Sequence, residues 1–143
     1  MSSRFSPLHG RTGLTSTVAV PPASRNGDTT NVVNGAGIDL SGKRVLGVEM
    51  VAGALTGAAT VAVHLQVNDT SAADKNISNG NWTNVNATVY PESAIAAKAN
   101  ANTAFTTWVD VSKLPLTGAY PFVRAVQTVD ANAAISGVNY ITD

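Results

Sequence analysis

The chain has 143 residues with nine basic and nine acidic side chains, so its formal net charge at neutral pH is zero, and only 13% of its residues are charged. One domain of this length can bury a full core, and a neutral surface has no long-range field to steer it to nucleic acid or to an anionic membrane. The sequence contains no cysteine, which excludes disulfide frameworks and thiolate chemistry.

Residues 1–30 are predicted to form an extended N-terminal arm. They are rich in Ser, Thr, Gly, Pro and Arg, and only residues 17–20 have the pattern of a strand. The pair Pro21-Pro22 and the turn signal Asn26-Gly27-Asp28 interrupt the rest. Such an arm is either disordered when free or ordered on a neighbouring subunit, and the sequence leaves both interpretations open. The folded domain is predicted over residues 31–143.

Short strands separated by turn signals follow the arm. Residues 60–68 alternate strictly, with Val61, Val63, Leu65 and Val67 on one face, which is typical of a half-buried strand. The Ala-rich residues 93–101 favour a short helix. Strands at near-regular spacing predict an all-β protein, an antiparallel β-sandwich of the immunoglobulin type or, as we favour, jelly-roll-like. The other strands are predicted at residues 36–40, 44–52, 82–89, 104–111, 121–129 and 134–141. Leu46, Val48 and Met50 are predicted on the core face of the strand at residues 44–52.

Residues 45–63 are apolar over nearly the length of a membrane helix and carry one charge, Glu49. Gly47, Gly53 and Gly57 interrupt this segment, and its second half has a period of two. Two buried strands joined by a turn explain the pattern better than a membrane helix does. No membrane association is therefore expected.

No group of residues in the sequence matches a catalytic, cofactor-binding or metal-binding motif. His9 and His64 are far apart, and His64 is expected on the polar side of its strand. The polar loop at residues 68–81 offers oxygen ligands for calcium but lacks the EF-hand pattern, so Asx-rich turns are favoured there, with an ion or a glycan left open. We expect a protein that is not an enzyme and that uses no cofactor and no metal.

Two tryptophans are the candidate interface residues of the domain. Alternation places Trp82 on the face opposite Val85, and it places Trp108 on the face opposite Val109. Exposed large aromatic side chains anchor interfaces, and they can also serve as platforms for carbohydrate. A β-bulge or a covering layer would instead return either ring to the protein interior.

Four arginines have two expected roles. Arg4, Arg11 and Arg25 are widely spaced in the arm, too few to form a nucleic-acid-binding stripe, and are predicted to pair with carboxylates on a partner surface. Arg124 lies among apolar residues and needs a carboxylate or carbonyl partner, for which a structural salt bridge is favoured. Nucleic acid is not an expected partner.

The order of these features resembles a known family. A strand that ends His64-Leu65-Gln66 is followed by a polar loop, then by Trp82-Thr83-Asn84-Val85, and later by Tyr120-Pro121-Phe122-Val123-Arg124. This resembles the small β-sandwich virion proteins of tailed bacteriophages, whose strands commonly read Leu-Gln, a Ser/Asp-rich loop, Trp-x-x-Val and Tyr-Val-Arg. The similarity covers about residues 43–141. The chain departs from the family in a longer loop before Trp82 and in Phe122, where the family often has tyrosine.

The resemblance implies a capsid decoration, or cement, protein on the exterior of a virion that is assembled in the cytoplasm of a host bacterium. Its partners would be the major capsid protein and other copies of itself. A homotrimer is favoured because capsid lattices offer threefold positions. The alternatives are a tail or head–tail connector component of the virion and, from a different class, a glycan-binding β-sandwich module.

Overall fold

In a computed structural model, the structure describes residues 13–27, 31–55, 60–68, 82–90, 93–96, 103–116, 121–130 and 132–143. These residues form nine strands and one 3-10 turn, Val111–Lys113. β4 has the bounds that the alternation predicted. The strands are β1 Thr15–Gly27, β2 Asn31–Asp39, β3 Val45–Leu55, β4 Thr60–Asn68, β5 Trp82–Asn84, β6 Ser93–Ala96, β7 Thr103–Asp110, β8 Phe122–Asp130 and β9 Asn132–Thr142.

The strands form two antiparallel sheets. Sheet A has the order β1-β9-β3-β7, and sheet B has the order β2-β8-β4-β5, with β6 also paired to β4. β5 and β6 share one edge of β4, because β5 pairs with residues 66–68 and β6 with residues 60–63. Apart from the steps from β4 to β5 and from β5 to β6, each successive strand lies in the other sheet. This strand order is that of a jelly roll, so the predicted fold class is confirmed.

The core lies between the two sheets and is built from alternate residues of their strands. Sheet A contributes Leu46, Val48 and Met50 of β3, which are the core residues that the sequence predicted for that strand. Sheet B contributes the alternating face of β4. Because residues of the opposite phase point away from the core, each sheet also has an outer face.

The hydroxyl of Tyr140 joins the two sheets inside the core. Tyr140 lies on β9 in sheet A, and its hydroxyl donates to the backbone oxygen of Ala36 on β2 and accepts from the backbone N–H of Ala125 on β8, both at 2.6 Å. β2 has an irregular register between Asn34 and Gly37. This irregularity opens the ladder between β2 and β8, so that a side chain from the opposite sheet reaches its backbone groups.

The same region requires a glycine. A Cβ on Gly35 would lie 2.7 Å from the backbone oxygen of Ala125 and 3.1 Å from that of Ala19. No side chain fits at those distances without a shift of the backbone, so the close approach of β1, β2 and β8 depends on the missing side chain.

A buried polar group closes one end of the core. The side chain of Gln127 is fully buried, and its Oε1 accepts from the Ser136 hydroxyl at 3.0 Å and from Arg25 Nε at 3.2 Å. Arg25 also donates through Nη2 to the backbone oxygen of Pro21 at 2.9 Å. These bonds satisfy a polar group that would otherwise oppose burial, and they link β1 to β8 and β9.

Three expectations need correction. Residues 15–27, assigned to the arm, form β1, which pairs with β9 along its length and places Ala19 and Val20 in the core. Residues 13–14 lead directly into β1. The other arm residues, 1–12 and 28–30, lie outside the described residues. Pro21-Pro22 had argued against a strand, but β1 is an edge strand with register shifts at this point, where proline is tolerated.

The second and third corrections concern the middle of the chain. Ser93–Ala96 was expected in a helix but forms β6 against β4, because pairing at an available strand edge outweighs the local helical preference of its alanines. Residues 97–101 lie outside the described part. The strand predicted at residues 82–89 ends at Asn84, because Asn86 starts a turn in which its side chain accepts from the N–H of Thr88 at 2.9 Å.

We expect Tyr140→Phe to lower the free energy of unfolding by about 2–4 kcal/mol, because it leaves the N–H of Ala125 and the carbonyl of Ala36 without their buried partner. Urea denaturation followed by circular dichroism measures the effect. A variant with the wild-type midpoint would show that the hydroxyl does not join the sheets.

The carboxylate of Asp143 holds the start of β3. It accepts from the N–H groups of Arg44 and Val45 at 2.9 and 3.3 Å, and from Arg44 Nε at 3.2 Å. These donors, the backbone N–H of Arg44 first, lower the pKa of Asp143 from 3.8 to about 2. The side chain of Arg44 is well exposed, so its ion pair contributes less than the two backbone bonds.

We therefore expect Asp143→Asn to lower the melting temperature at neutral pH and to have no effect near pH 2. A carboxylate whose pKa falls on folding stabilises the folded state above its unfolded pKa, near 4, and this contribution is lost as the pH falls through its folded pKa, near 2. Melting curves between these limits test the sign. An equal difference at every pH would contradict a role for the charge.

Candidate interaction surface

The outer face of sheet A carries most of the large apolar side chains that are exposed among the described residues. Five large apolar side chains are exposed among the described residues. Four of them lie on this face: Leu14, Val18, Trp108 and Ile135. The fifth, Val32, lies on β2 in sheet B. Contiguous exposed apolar patches on a soluble protein mark interaction sites. We call this surface the sheet A outer face.

Trp108 stands out on this face because 53% of its surface is exposed. It lies opposite Gly47 on β3, and the six-membered part of its ring covers that glycine: a Cβ on Gly47 would lie 2.9–3.1 Å from three ring carbons. Covering of a strand glycine by an aromatic side chain stabilises a sheet. The exposure of the rest of the ring leaves it available to a partner.

The register of sheet A places side chains in rows across the four strands. Trp108 shares its row with Gly47, Ile141 and Ser16, in that order from β7 to β1. In the next row, Thr106 is followed by Glu49, Asn139 and Val18. Asn139 Nδ2 donates to Glu49 Oε1 at 3.1 Å. Glu49 is the single ionisable side chain in these two rows, so the middle of the face is apolar or neutral apart from one carboxylate that is already hydrogen-bonded.

The outer face of sheet B is different, because its central strand is covered. Arg124 of β8 points away from the core but is only 7% exposed. Its guanidinium lies 4.5 Å from the centre of the Trp82 ring, and its Nε donates to Gln66 Oε1 at 2.8 Å. Gln66 Nε2 in turn donates to Asn84 Oδ1 at 2.9 Å. The result is a hydrogen-bonded row across β8, β4 and β5.

Burial lowers the pKa of the Arg124 guanidinium below its ordinary value, yet an arginine stays charged at neutral pH. A buried charge requires compensation. The amide oxygen of Gln66 and the face of the Trp82 ring supply part of it. The sequence predicted a carboxylate or carbonyl partner for Arg124, and the amide oxygen of Gln66 is a carbonyl-type partner. The hydrogen-bonded row of Arg124, Gln66 and Asn84 therefore has a structural role.

The two tryptophans therefore lie on opposite sides of the sandwich and do not form one site. The prediction that alternation directs both away from the core is confirmed for Trp82 and Trp108. Trp82 is only partly exposed and is engaged with Arg124, so its ring belongs to the fold more than to a surface. The sequence left open whether each ring would be exposed, would be covered, or would return to the interior through a β-bulge. Alternation along the strand could not decide between these alternatives.

Of the three arginines predicted at an interface, Arg25 lies in the described part of the chain. Arg4 and Arg11 lie outside the described residues. Arg25 is half-buried and binds Gln127 and Pro21 of its own chain. The sequence predicted that Arg25 would pair with a carboxylate on a partner surface. In the structure, its polar partners lie within its own chain.

His64 lies on the outer face of sheet B, in keeping with its predicted polar side. An open groove of about 250 Å³ is lined by His64, Asn84, Val85, Ala87 and Tyr90. In the described ranges, no three His, Cys, Asp or Glu side chains lie together in a metal-binding arrangement. The same residues include no helix that is long and apolar enough to cross a membrane. The polar loop at residues 69–81 lies outside the described part.

Comparisons with known proteins add little to this description. No protein-family model matches the chain, and no curated protein matches it. One similar solved structure is described as "Structure of infectious bursal disease virus Gx strain", with 10% sequence identity and a TM-score of 0.47 over 90% of this chain and 31% of that chain. This chain thus spans about a third of the length of that one. The fold assignment rests on the strand order and register of the chain itself.

We expect Trp82→Ala to lower the free energy of unfolding by about 1–3 kcal/mol, since it removes the ring over a buried cation. Trp108→Ala should cost about 1 kcal/mol or less in dilute solution, because the ring is largely exposed. Urea denaturation measures both values. Equal losses would mean that the two rings have the same role, contrary to the geometry.

Proposed function

We propose that this chain is a structural protein of a phage virion, a decoration or cement protein that binds the outer capsid surface and stabilises contacts between major capsid subunits. The observation that carries the proposal is the sheet A outer face, an exposed apolar surface on a rigid jelly roll. Such a surface suits burial in a larger protein assembly. The fold alone would not suffice, because jelly rolls serve both viral capsids and lectins.

The sequence resemblance to phage virion proteins directs the proposal toward a capsid. Area buried across the boundary between two capsid subunits would oppose their separation, and a protein that binds only the assembled shell stabilises it by mass action. The neutral surface fits this role because it neither repels other copies nor attracts nucleic acid. The proposal gives the chain no catalytic role.

Particles produced from the genome that encodes this chain test the proposal. We expect imaging to find the chain distributed over the shell, and particles without it to release their nucleic acid at a lower temperature until purified chain is added back. Density at a single vertex would instead identify a tail or connector component. Particles that contain no copy of the chain would overturn a virion role.

One observation favours a second candidate. The Trp108 ring lies on Gly47, one row from the hydrogen-bonded pair of Glu49 and Asn139, and an aromatic ring beside hydrogen-bonding side chains could hold a sugar. A change in Trp108 fluorescence on addition of oligosaccharides, absent from Trp108→Phe and retained in Trp82→Phe, would support a glycan-binding module.

A further inference from the structure

The two central strands of sheet A carry complementary side chains on their outer faces. At neighbouring positions, the outward residues of β3 are Gly47, Glu49, Val51 and Gly53, and those of β9 are Ile141, Asn139, Gly137 and Ile135. Each large apolar side chain lies beside a glycine, and the carboxylate lies beside an amide. Within one copy, the Trp108 ring lies on Gly47, Pro22 lies on Gly137 and Ile135 lies against Gly53, so these glycines leave no open recess. If β3 of one copy lay over β9 of another, apolar groups would face apolar groups and Glu49 would face Asn139.

A single twofold axis produces that arrangement. If the axis runs parallel to the strands, between β3 and β9 and midway between two facing sheets, a rotation of 180° places each position of β3 over its ladder neighbour on β9 of the second copy. Ile141 then meets the Trp108 ring that covers Gly47, Val51 meets Pro22, which covers Gly137, and Ile135 meets the Ile135 side chain that lies against Gly53 of the second copy. Every contact between unlike residues occurs twice, as in any isologous interface.

The outer strands follow the same rule. Because β7 and β1 are the two edges of sheet A, the axis places Trp108 of one copy opposite Ser16 of the other, the far end of its own row. Leu14 and Val18 lie two residues before and after Ser16, on the same face. The exposed ring therefore enters the space between two exposed apolar side chains.

We propose that the sheet A outer face binds a second copy of this chain through this twofold axis. The one carboxylate in the two central rows, Glu49, then lies opposite Asn139 of the second copy, which supplies a donor instead of a like charge. The formal net charge of zero removes any overall repulsion between copies.

The area of the face is sufficient for a stable dimer. Four strands about 4.8 Å apart, each about 30 Å long, cover roughly 600 Å² in projection, and side-chain relief raises the accessible area toward the roughly 800 Å² per partner of a standard interface. Asp110 and Asp143 lie in the row at one end of the face. They stay at the rim and in water, since twisted sheets packed face to face diverge at their corners.

The proposal does not rest on the function proposed above. It does change the oligomer that the family resemblance favours, because a closed trimer uses heterologous contacts and would not use the complementary pairing of β3 with β9.

Sedimentation velocity of the full chain over a range of concentrations tests the dimer. We expect the wild type to change from 14.6 kDa to twice that mass as its concentration rises. Trp108→Ser should raise the dissociation constant about thirtyfold or more, as expected for an interface anchor. Melting curves of the dilute variants verify that each is folded.

A matched pair of substitutions separates this face from general surface hydrophobicity. Val18 on sheet A and Val32 on sheet B are exposed by 51% and 57%, so Val18→Ser and Val32→Ser make the same chemical change at similar exposure. We expect the first to weaken the dimer about tenfold and the second to leave it unchanged. Equal effects of the two would overturn the proposal.

Cross-linking tests the axis itself. The chain has no cysteine, so Thr106→Cys and Val18→Cys each introduce a single thiol, at the two ends of one row. Across the proposed interface these unlike positions lie about 10 Å apart, while two copies of Thr106 lie about 17 Å apart. A thiol-reactive linker that spans about 10 Å should therefore join the mixed variants and not either variant alone.

Two outcomes would overturn the proposal outright. The first is a wild-type chain that stays monomeric at about 1 mM, weaker than a specific interface of this size allows. The second is linking of like positions in preference to unlike ones. Both measurements use the chain alone, so a failure of the dimer is distinguished from a failure of capsid attachment. Because both proposals bury the sheet A outer face, attachment through this face would require the dimer to dissociate.

Discussion

The hydroxyl of Tyr140 is the contact on which the arrangement of the two sheets depends. It is buried between them, and that burial raises its pKa well above the ordinary value of 10.0, so it remains a neutral group that both donates and accepts. Both of its partners are backbone groups of sheet B next to the irregular stretch of β2. Interdigitated apolar side chains limit how far one sheet can slide over the other, but their attraction has no direction. The two hydrogen bonds of Tyr140, with the bond from Ser136 to Gln127, add directional contacts that specify which part of sheet A faces which part of sheet B.

That alignment gives the sandwich two unlike outer faces. On sheet B the central strand is covered, and the charge of Arg124 is accommodated by the Trp82 ring and the amide of Gln66. On sheet A, Trp108 and Pro22 cover two glycines of the central strands, but Trp108 itself is more than half exposed. Hydrogen-bonded rows make the first face self-contained. The second face keeps large apolar side chains in contact with water, which is a poor partner for them.

A rigid sheet with one such face suits a component of an assembly. A flat surface on paired strands loses little conformational entropy when it is buried, because its backbone is already ordered. The proposed roles in a virion and in a dimer both use this property, and they differ only in which surface meets the sheet A outer face. The apolar groups that cover the glycines of β3 and β9, and the facing of Glu49 by Asn139, favour a second copy, since a surface that matches itself under a twofold axis needs no other partner.

Local patterns along the chain were enough to predict the class of fold, the core phase of β3 and β4, and the outward direction of Trp82 and Trp108. These follow from the two-residue period of a strand, which is local. Other features depend on contacts between distant parts of the chain. β1 joins the sheet despite Pro21-Pro22, Ser93–Ala96 becomes a strand, and only one of two outward tryptophans stays exposed. Each outcome depends on residues distant in the chain, such as Gln66 and Arg124, 58 positions apart, and periodicity carries no information about which distant strands become neighbours.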